Sequence, residues 1–190
     1  MIASITGKIT LIKDKFMVIE TNGLGYKVHV SPDIIDRHTK NTNTEISLFV
    51  YSHIREDAFD LYGFLEYSDL EFFEMLISVS GIGPKGALVI LAVASTNTLK
   101  KAIKQNDLGY LTKISGIGKK TAEKMILELR DKVGIAEEND SSLQNELDVL
   151  EALKALGYSQ YQVRETLKQM DGTLDTNTKI REALKILGKM

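Results

Sequence analysis

Two glycine-rich phrases, 35 residues apart, carry groups that bind phosphate. Residues 80–87 read Ser-Gly-Ile-Gly-Pro-Lys-Gly-Ala, and residues 115–122 read Ser-Gly-Ile-Gly-Lys-Lys-Thr-Ala. An apolar run precedes and follows each phrase, so the repeat predicts a duplicated unit of helix, hairpin and helix. The second helix of each unit should begin just after Gly83 or Gly118. The unbonded N–H groups of such a helix start favour a phosphate oxygen.

The residues around the glycines help to distinguish a nucleotide phosphate from the phosphates of a DNA backbone. Pro84 supports the predicted start, because proline suits the first position of a helix, and Lys85, Lys119 and Lys120 add cations beside the hairpins. A turn without a ligand is the alternative for one copy alone. A nucleotide loop is disfavoured, since the phrases lack the Walker spacing and no strand pattern precedes the first of them. Two copies, each followed by lysine, favour binding of the DNA backbone without sequence specificity.

Composition limits the classes of protein to be considered. The chain has 190 residues and a formal net charge of −2. It contains no cysteine, which excludes disulfides and thiolate metal sites, and its three histidines lack metal-ligand spacing, so we expect no cofactor and no metal. No apolar run has transmembrane length and no signal pattern opens the chain. We therefore expect a cytoplasmic protein without membrane contact.

The charge is unevenly distributed along the chain. Residues 65–134 hold ten basic and eight acidic residues, against seven and eight in residues 1–64 and seven and ten in residues 135–190. The segment with the two phrases is thus the only positive one. A local basic face of this kind can bind DNA while the rest of the chain stays acidic.

The first 64 residues predict a small β-barrel. Residues 16–20 and 26–30 flank an Asn-Gly turn, and residues 46–54 alternate in hydropathy, as strands do. Residues 2–11 and 60–64 supply further strands, and five or six short strands suggest an OB-type barrel. Between the last two strands lies Arg55-Glu56-Asp57, whose spacing alone favours a solvated hairpin tip.

Residues 65–134 predict a helical domain that contains both phrases. An apolar stripe ends at the first phrase, Ser95 and Asp107 are candidate N-caps, and residues 119–133 form an amphipathic helix after the second phrase. Residues 135–143 are polar and acidic, which predicts a flexible linker.

Residues 144–190 predict a small bundle of three helices. The helical runs are residues 146–156, 160–170 and 178–187, and Gly157 should end the first of them. Because this segment is acidic, we interpret it as a module that docks another protein. A stabilising cap is the alternative.

Together these features resemble the RuvA family, the Holliday junction-binding subunits of the bacterial RuvAB branch migration complex. The resemblance covers essentially the whole chain. The matching stretches are Arg55-Glu56-Asp57-Ala58, Leu61-Tyr62-Gly63-Phe64, Gly81-Ile82-Gly83-Pro84-Lys85, Gly116-Ile117-Gly118-Lys119-Lys120-Thr121-Ala122-Glu123, Ala155-Leu156-Gly157-Tyr158 and Ile180-Arg181-Glu182-Ala183-Leu184.

The resemblance implies a fold and an activity. The fold is an N-terminal OB-fold barrel (1–64), a tandem helix-hairpin-helix domain (65–134), a linker (135–143) and a three-helix bundle (144–190) similar to ubiquitin-associated modules. The activity is binding of a four-way junction by a tetramer that holds it open and square-planar in recombination and repair. One or two tetramers bind a junction, with the hexameric ATPase RuvB as partner and the RuvC resolvase in a larger complex. No catalytic site is expected in this chain.

The resemblance also assigns residues to three roles. The residues expected to bind the DNA backbone are Gly81, Ile82, Gly83, Lys85, Gly116, Ile117, Gly118, Lys119, Lys120, Thr121 and Lys124. An acidic pin at the junction centre would comprise Arg55, Glu56 and Asp57, in place of the plain hairpin tip. The residues expected to dock the ATPase are Leu153, Leu156, Gly157, Tyr158, Leu184 and Leu187.

Three departures from the family pattern and two rival functions stay open at this point. Lys124 stands where arginine is frequent, Gly86 where a larger apolar residue is common, and the linker is short.

A glycosylase or nuclease could use the same hairpins, although the carboxylates of Glu56, Asp57 and Asp60 are too few for a metal nuclease. A purely structural oligomerisation module is disfavoured by the duplicated hairpins.

Overall fold

A computed structural model of the chain describes residues 1–39, 43–133, 149, 150, 152, 153, 155–158, 162, 163, 166, 167, 170, 174 and 176–188. These divide into two compact units, Met1–Ala92 and Val93–Met190. The predicted linker, residues 135–143, lies outside the described residues, as do parts of the first two predicted helices of the tail. The domain boundaries at residues 64 and 134 stay predictions.

A closed barrel of five strands forms the beginning of the first unit. Its strands are β1 (Ser4–Lys13), β2 (Phe16–Thr21), β3 (Leu24–His29), β4 (Glu45–Arg55) and β5 (Ala58–Phe64). Their order around the barrel is β1-β2-β3-β5-β4, with antiparallel pairing except between β3 and β5. The predicted OB-type barrel is confirmed.

The alternation in the sequence sets which side chains fill the barrel. Val28 is fully buried whereas Lys27 is exposed, and Ile46, Leu48 and Val50 are all buried along β4. The predicted turn between β2 and β3 also forms, with positive φ angles of 51° at Asn22 and 81° at Gly23, as a type I′ turn requires. The core consists of Ile5, Ile9, Met17, Ile19, Val28, Val30, Ile34, Ile35, Ile46, Leu48, Val50 and Leu61.

A short helix, α1 (Pro32–His38), joins β3 to β4 and was not predicted from the sequence. It packs Ile34 and Ile35 into the barrel core. Ser31 before Pro32 is the sequence signal for its start, because serine is common at the N-cap and proline at the first helical position.

Helix α2 (Tyr67–Ser78) packs on the outer face of the last two strands, and α3 (Pro84–Val93) follows it. The contact is aromatic: the Phe73 ring lies 5.5 Å from Tyr51, 5.5 Å from Tyr62 and 4.9 Å from Phe64, measured between centroids. Such tilted or edge-on ring pairs each add stabilisation beyond their buried area. The first hairpin, between α2 and α3, therefore stands on a rigid base.

The second unit begins with three helices, α4 (Thr96–Lys104), α5 (Leu108–Lys113) and α6 (Lys119–Leu129). Both predicted N-caps are confirmed. The Thr98 N–H donates to Ser95 Oγ at 3.1 Å, and the Tyr110 N–H donates to Asp107 Oδ1 at 2.9 Å. Helix α6 begins where the sequence predicts but ends at Leu129, earlier than the predicted residue 133.

The tail has a small core of its own. It ends in helix α7 (Thr176–Leu187), which starts two residues before the predicted position 178. The described residues of the two earlier runs include helical positions that contribute to the same core. Gly157, predicted to end the first of these helices, has φ +91°, and the Tyr158 N–H donates to the Leu153 carbonyl at 3.2 Å, as in a Schellman motif. The buried residues are Val149, Leu150, Leu153, Val163, Ala183 and Leu187.

Candidate nucleic-acid interface

The first hairpin is closed by three backbone hydrogen bonds. The Val79 N–H donates to the Leu76 carbonyl at 3.1 Å, and the Ile82 N–H donates to the Val79 carbonyl at 3.0 Å. The Ala87 N–H then donates to the Gly83 carbonyl at 2.9 Å, which is the first hydrogen bond of α3. The helix thus starts directly after Gly83, as predicted.

The second hairpin repeats this pattern bond for bond. The Ile114 N–H donates to the Leu111 carbonyl at 3.2 Å, the Ile117 N–H to the Ile114 carbonyl at 3.0 Å, and the Ala122 N–H to the Gly118 carbonyl at 2.9 Å. Equivalent side chains are buried in both copies. These pairs are Leu76 and Leu111, Val79 and Ile114, Ile82 and Ile117, and Ala87 and Ala122. The duplication predicted from sequence is confirmed down to the hydrogen bonds.

One glycine in each hairpin has a backbone angle that other residues rarely adopt. Gly81 has φ +99° and Gly116 has φ +89°. A Cβ atom at either position would meet no atom within 4 Å. The glycines are therefore required by the backbone conformation and not by crowding.

Exposed lysines lie in or near the first turns of α3 and α6. Lys85, Lys119 and Lys120 are exposed within those turns, and Lys124 is exposed one turn further along α6. The first N–H groups of a helix have no acceptor within the helix, and the helix dipole makes that end positive. Each hairpin therefore combines unbonded backbone donors with one to three exposed cations, an arrangement suited to a phosphate.

Ile82 and Ile117, both expected to bind the DNA backbone, have buried side chains. Their side chains are only 7% and 4% exposed, and their N–H groups are already bonded inside the turn. Their side chains therefore anchor the hairpins, and the assignment of these two residues to DNA binding stays a prediction. Thr121 is half-buried in the first turn of α6.

The hairpin of β4 and β5 extends beyond the barrel. Its strands stay paired to Arg55 and Ala58, and Glu56 and Asp57 form a two-residue turn. Arg55, Glu56 and Asp57 are all exposed. At the base of this tip, the cross-strand partners Ile54 and Phe59 are 62% and 58% exposed, although Ile54 shares the alternation of the buried core residues. The charged tip thus stands clear of the barrel on an apolar base.

A cleft lies between this hairpin and the first turn of α3, within the first unit. It has a volume of about 270 Å³. His53 and Asp60 are direct cross-strand partners, and Tyr62 is one step further along β5. The residues that line the cleft are His53, Arg55, Asp60, Tyr62, Gly83, Pro84, Lys85 and Gly86.

The Tyr62 side chain in this cleft is held rigidly. Its ring stacks on His29 with centroids 5.3 Å apart, and only 2% of the residue is exposed. Burial raises the pKa of the Tyr62 phenol, the negative charge of Asp60 raises it further, and Arg55 opposes these effects. The hydroxyl is therefore neutral at physiological pH and can donate a hydrogen bond. Sequence reasoning missed this cleft, although alternation places Tyr51, His53 and Arg55 on the outward face of β4.

The predicted docking residues of the tail lie in two environments. Leu153 and Leu187 are buried, at 0% and 5% exposure, so they belong to the core of the tail, and their docking role stays a prediction. Leu156 is 61% exposed and is followed by the exposed Gly157. The remaining two, Tyr158 and Leu184, are partly buried against the tail core.

Two further properties concern the parts of the chain that the structure describes. Among those residues, no group of three or more histidine, aspartate or glutamate side chains is placed to hold a metal ion. Taken singly, none of the described helices is long and apolar enough to cross a membrane, and Pro84–Val93 and Thr96–Lys104 pass that test only when joined across the break between them.

Comparison with known families gives three matches along the chain. Residues 1–63 match the RuvA N terminal domain, residues 73–131 match the SAM-like helix-hairpin-helix tandem, and residues 145–188 match the RuvA C-terminal domain. The two outer matches coincide with the barrel and the tail, and the middle one contains both hairpins.

Curated relatives match nearly from end to end. A protein of Acholeplasma laidlawii is 42% identical over 97% of this chain and 98% of its own length. One of Streptococcus pneumoniae is 40% identical and one of Limosilactobacillus fermentum is 38% identical, each over 100% of both chains. All three carry the name Holliday junction branch migration complex subunit RuvA.

Proposed function

The chain belongs to the RuvA family, and we propose on that basis that it binds Holliday junctions as the DNA-binding subunit of a branch migration complex. The observation that supports this most directly is the pair of hairpins with identical hydrogen bonds. Each carries unbonded helix-start donors and exposed lysines. These groups bind the sugar-phosphate backbone and carry no base readout, so they supply affinity for DNA of any sequence.

Selection of a four-way junction then has to come from the arrangement of several copies. We propose that four protomers surround the crossover, so that four tips bearing Arg55, Glu56 and Asp57 meet at its centre. A carboxylate about 4 Å from a phosphate is repelled by about 1 kcal/mol even in water. Exposed acidic tips would therefore disfavour a duplex running straight through the centre and guide strands into separate arms. The protruding hairpin gives these charges the necessary reach.

The tail is the proposed docking site for the motor, the RuvB ATPase. Leu156 is the apolar side chain that supports this role, because a large hydrophobic residue exposed beside a glycine turn is a suitable anchor for a partner. Tyr158, two residues further along, and Leu184 are partly exposed and could add to this surface. ATP hydrolysis belongs to the partner in this proposal, and this chain contributes DNA binding and recruitment.

The finer assignments are part of the same proposal. They are the domain boundaries 1–64, 65–134, 135–143 and 144–190, a cytoplasmic location, a role in recombination and repair, a second tetramer on the opposite face of the junction, and association with the RuvC resolvase.

A gel-shift titration tests the central claim. An immobile four-way junction and a linear duplex of equal length are compared at the same salt concentration, since phosphate contacts make affinity salt-dependent. We expect tighter binding to the junction and a solution mass of four chains or a multiple of four. Equal affinity for the two DNAs would refute the proposed function. Cleavage of labelled junction in magnesium would instead favour the rival nuclease.

A further inference from the structure

The cleft beside the tip of the β4–β5 hairpin is lined by groups of both charges, so a phosphate group alone does not complement it. Arg55 and Lys85 contribute positive charge, as does the start of α3 at Gly83 and Pro84. Asp60, however, places a carboxylate in the same cleft. Since a carboxylate repels a phosphate, the complementary ligand must offer N–H donors to Asp60 as well as negative charge near α3.

The hydroxyl of Tyr62 also lacks a protein partner. The residue is 98% buried, and its ring is fixed between His29 and Phe73. Within the described part of the chain, no hydrogen bond joins this hydroxyl to another residue, although Tyr62 lines the cleft. The hydroxyl itself is not one of the fully buried unpartnered polar atoms among the described residues, so it is accessible from the cleft. It can therefore donate a hydrogen bond to a group that enters the cleft.

Asp60 has acceptor capacity to spare as well. Its Oδ1 lies 3.7 Å from Nε2 of His29, which is an ion-pair distance and longer than a hydrogen bond. The side chain is 28% exposed. The carboxylate can thus accept hydrogen bonds from a group that enters the cleft.

The volume of the cleft indicates the size of ligand that it can hold. An apolar cavity of about 150 Å³ in another protein holds benzene, and this cleft measures about 270 Å³. It therefore has room for one planar heterocycle larger than benzene. A nucleobase has this size and carries both donors and acceptors at its edge.

We propose that the cleft receives one unpaired nucleobase from the strand at the crossover, while the phosphate of that nucleotide binds at the first turn of α3. This inference rests on the proposed function, because only a junction held open beside the charged tip supplies such a base. Asp60 accepts hydrogen bonds from the pairing edge of the base, and Tyr62 and Arg55 donate to it. Enzymes that act on extruded bases read them through the same edge.

The chemistry of the lining also sets a preference among bases. Guanine offers two neighbouring N–H donors for Asp60 beside a carbonyl oxygen that Arg55 or Tyr62 can reach. Thymine offers one donor between two carbonyl oxygens, and one of these oxygens would face the carboxylate. Guanine at the crossover nucleotide is therefore expected to bind more tightly than thymine.

The test uses the full-length protein and immobile junctions that differ at a single crossover nucleotide, which carries guanine, thymine or an abasic residue. For the wild type we expect binding to weaken about fivefold or more without the base, the lower end of what one good base contact contributes. An abasic residue in the middle of an arm is the DNA control. Tyr62→Phe and Asp60→Asn should bind the intact junction as weakly as the wild type binds the abasic one, with no further loss on abasic DNA. Tyr26→Phe removes a hydroxyl from β3, outside the cleft lining, and should behave as the wild type.

The possible outcomes separate this proposal from the proposed function. If the wild type prefers junction to duplex but binds guanine, thymine and abasic junctions equally, the cleft proposal is wrong and the proposed function stands. The cleft proposal would also be wrong if the loss of junction affinity caused by Tyr62→Phe and the loss caused by the abasic site were additive. Additive losses would show that the hydroxyl and the base act independently of each other. If the wild type binds junction and duplex alike, the proposed function itself fails. Free dGMP that competes equally well on intact and abasic junctions would indicate a site for free nucleotides and refute the crossover assignment. Circular dichroism melting confirms that each variant is folded.

Discussion

Adding a single methyl group at two positions of one hairpin should have opposite effects on stability. Gly81 and Gly86 are five residues apart in the same unit, and a Cβ at either would meet no atom within 4 Å. Steric clash therefore contributes to neither substitution. The two sites differ in backbone conformation, because Gly81 has φ +99° whereas Gly86 lies inside helix α3.

The magnitudes follow from that difference. An L-residue held in the left-handed region costs about 1–2 kcal/mol, so Gly81→Ala should lower the free energy of unfolding by this amount. Gly86→Ala should raise it by about 0.4–1 kcal/mol, because alanine has less conformational freedom to lose on folding. The two variants should thus differ by about 1.4–3 kcal/mol, at least a tenfold change in the folding equilibrium constant.

Urea unfolding of the full chain, followed by far-UV circular dichroism and tyrosine fluorescence, measures this difference. Gly116→Ala repeats the Gly81 change in the second hairpin, where φ is +89°, and should also be destabilising. A Gly81→Ala variant as stable as the wild type would show that the hairpin does not need its left-handed residue. A destabilised Gly86→Ala variant would show that the α3 helix start is packed more tightly than its open surroundings indicate.

Three further predictions concern the binding surfaces. Replacing Lys119 and Lys120 by alanine should weaken junction and duplex binding alike and reduce the slope of log K against log salt by about 1 for each phosphate that the variant no longer neutralises, which filter binding at several salt concentrations measures. A variant with unchanged slope would show that these lysines do not bind phosphate. Replacing Glu56 and Asp57 by lysine should leave duplex affinity at least as high as in the wild type but change the mobility of the junction complex and slow branch migration in a strand-exchange assay; normal migration would refute the pin role. Leu156→Ser should weaken binding of the purified ATPase partner about tenfold or more, as for a hot-spot residue, without changing the melting temperature, and unchanged affinity would place the docking surface elsewhere.

The parts of the fold that depend on local patterns could be predicted from the sequence. Alternating hydropathy located the barrel strands, and the Asn-Gly pair located a turn that requires positive φ at both positions. Ser95 and Asp107 cap helices because their side chains bond to backbone three residues ahead, an interaction that is encoded within one turn. The repeated phrase predicted the hairpins for the same reason.

Local patterns are less informative where the role of a residue depends on distant neighbours. Ile82 and Ile117 stand within the two glycine-rich phrases, yet their side chains are buried, and only the fold reveals this burial. Leu153 and Leu187 likewise belong to the tail core, whereas Leu156 is the exposed member of the same predicted set. The cleft needs residues from β4, β5 and the start of α3 at once, and no spacing along the chain indicates that these residues meet.

The two hairpins correspond closely where they are buried and differ where they are exposed. The hydrogen bonds and the buried side chains correspond pair by pair, but the first turn of one helix reads Pro-Lys-Gly and that of the other reads Lys-Lys-Thr. The second hairpin therefore carries more positive charge, and the first carries less charge but borders the cleft beside the tip. If both hairpins bind phosphate as proposed, we expect a division of labour in which the second contributes more to salt-sensitive affinity and the first fixes the strand next to Glu56 and Asp57. Duplication supplies two hairpins with the same backbone hydrogen bonds, and their unequal surfaces would then allow one to hold DNA while the other orients it at the crossover.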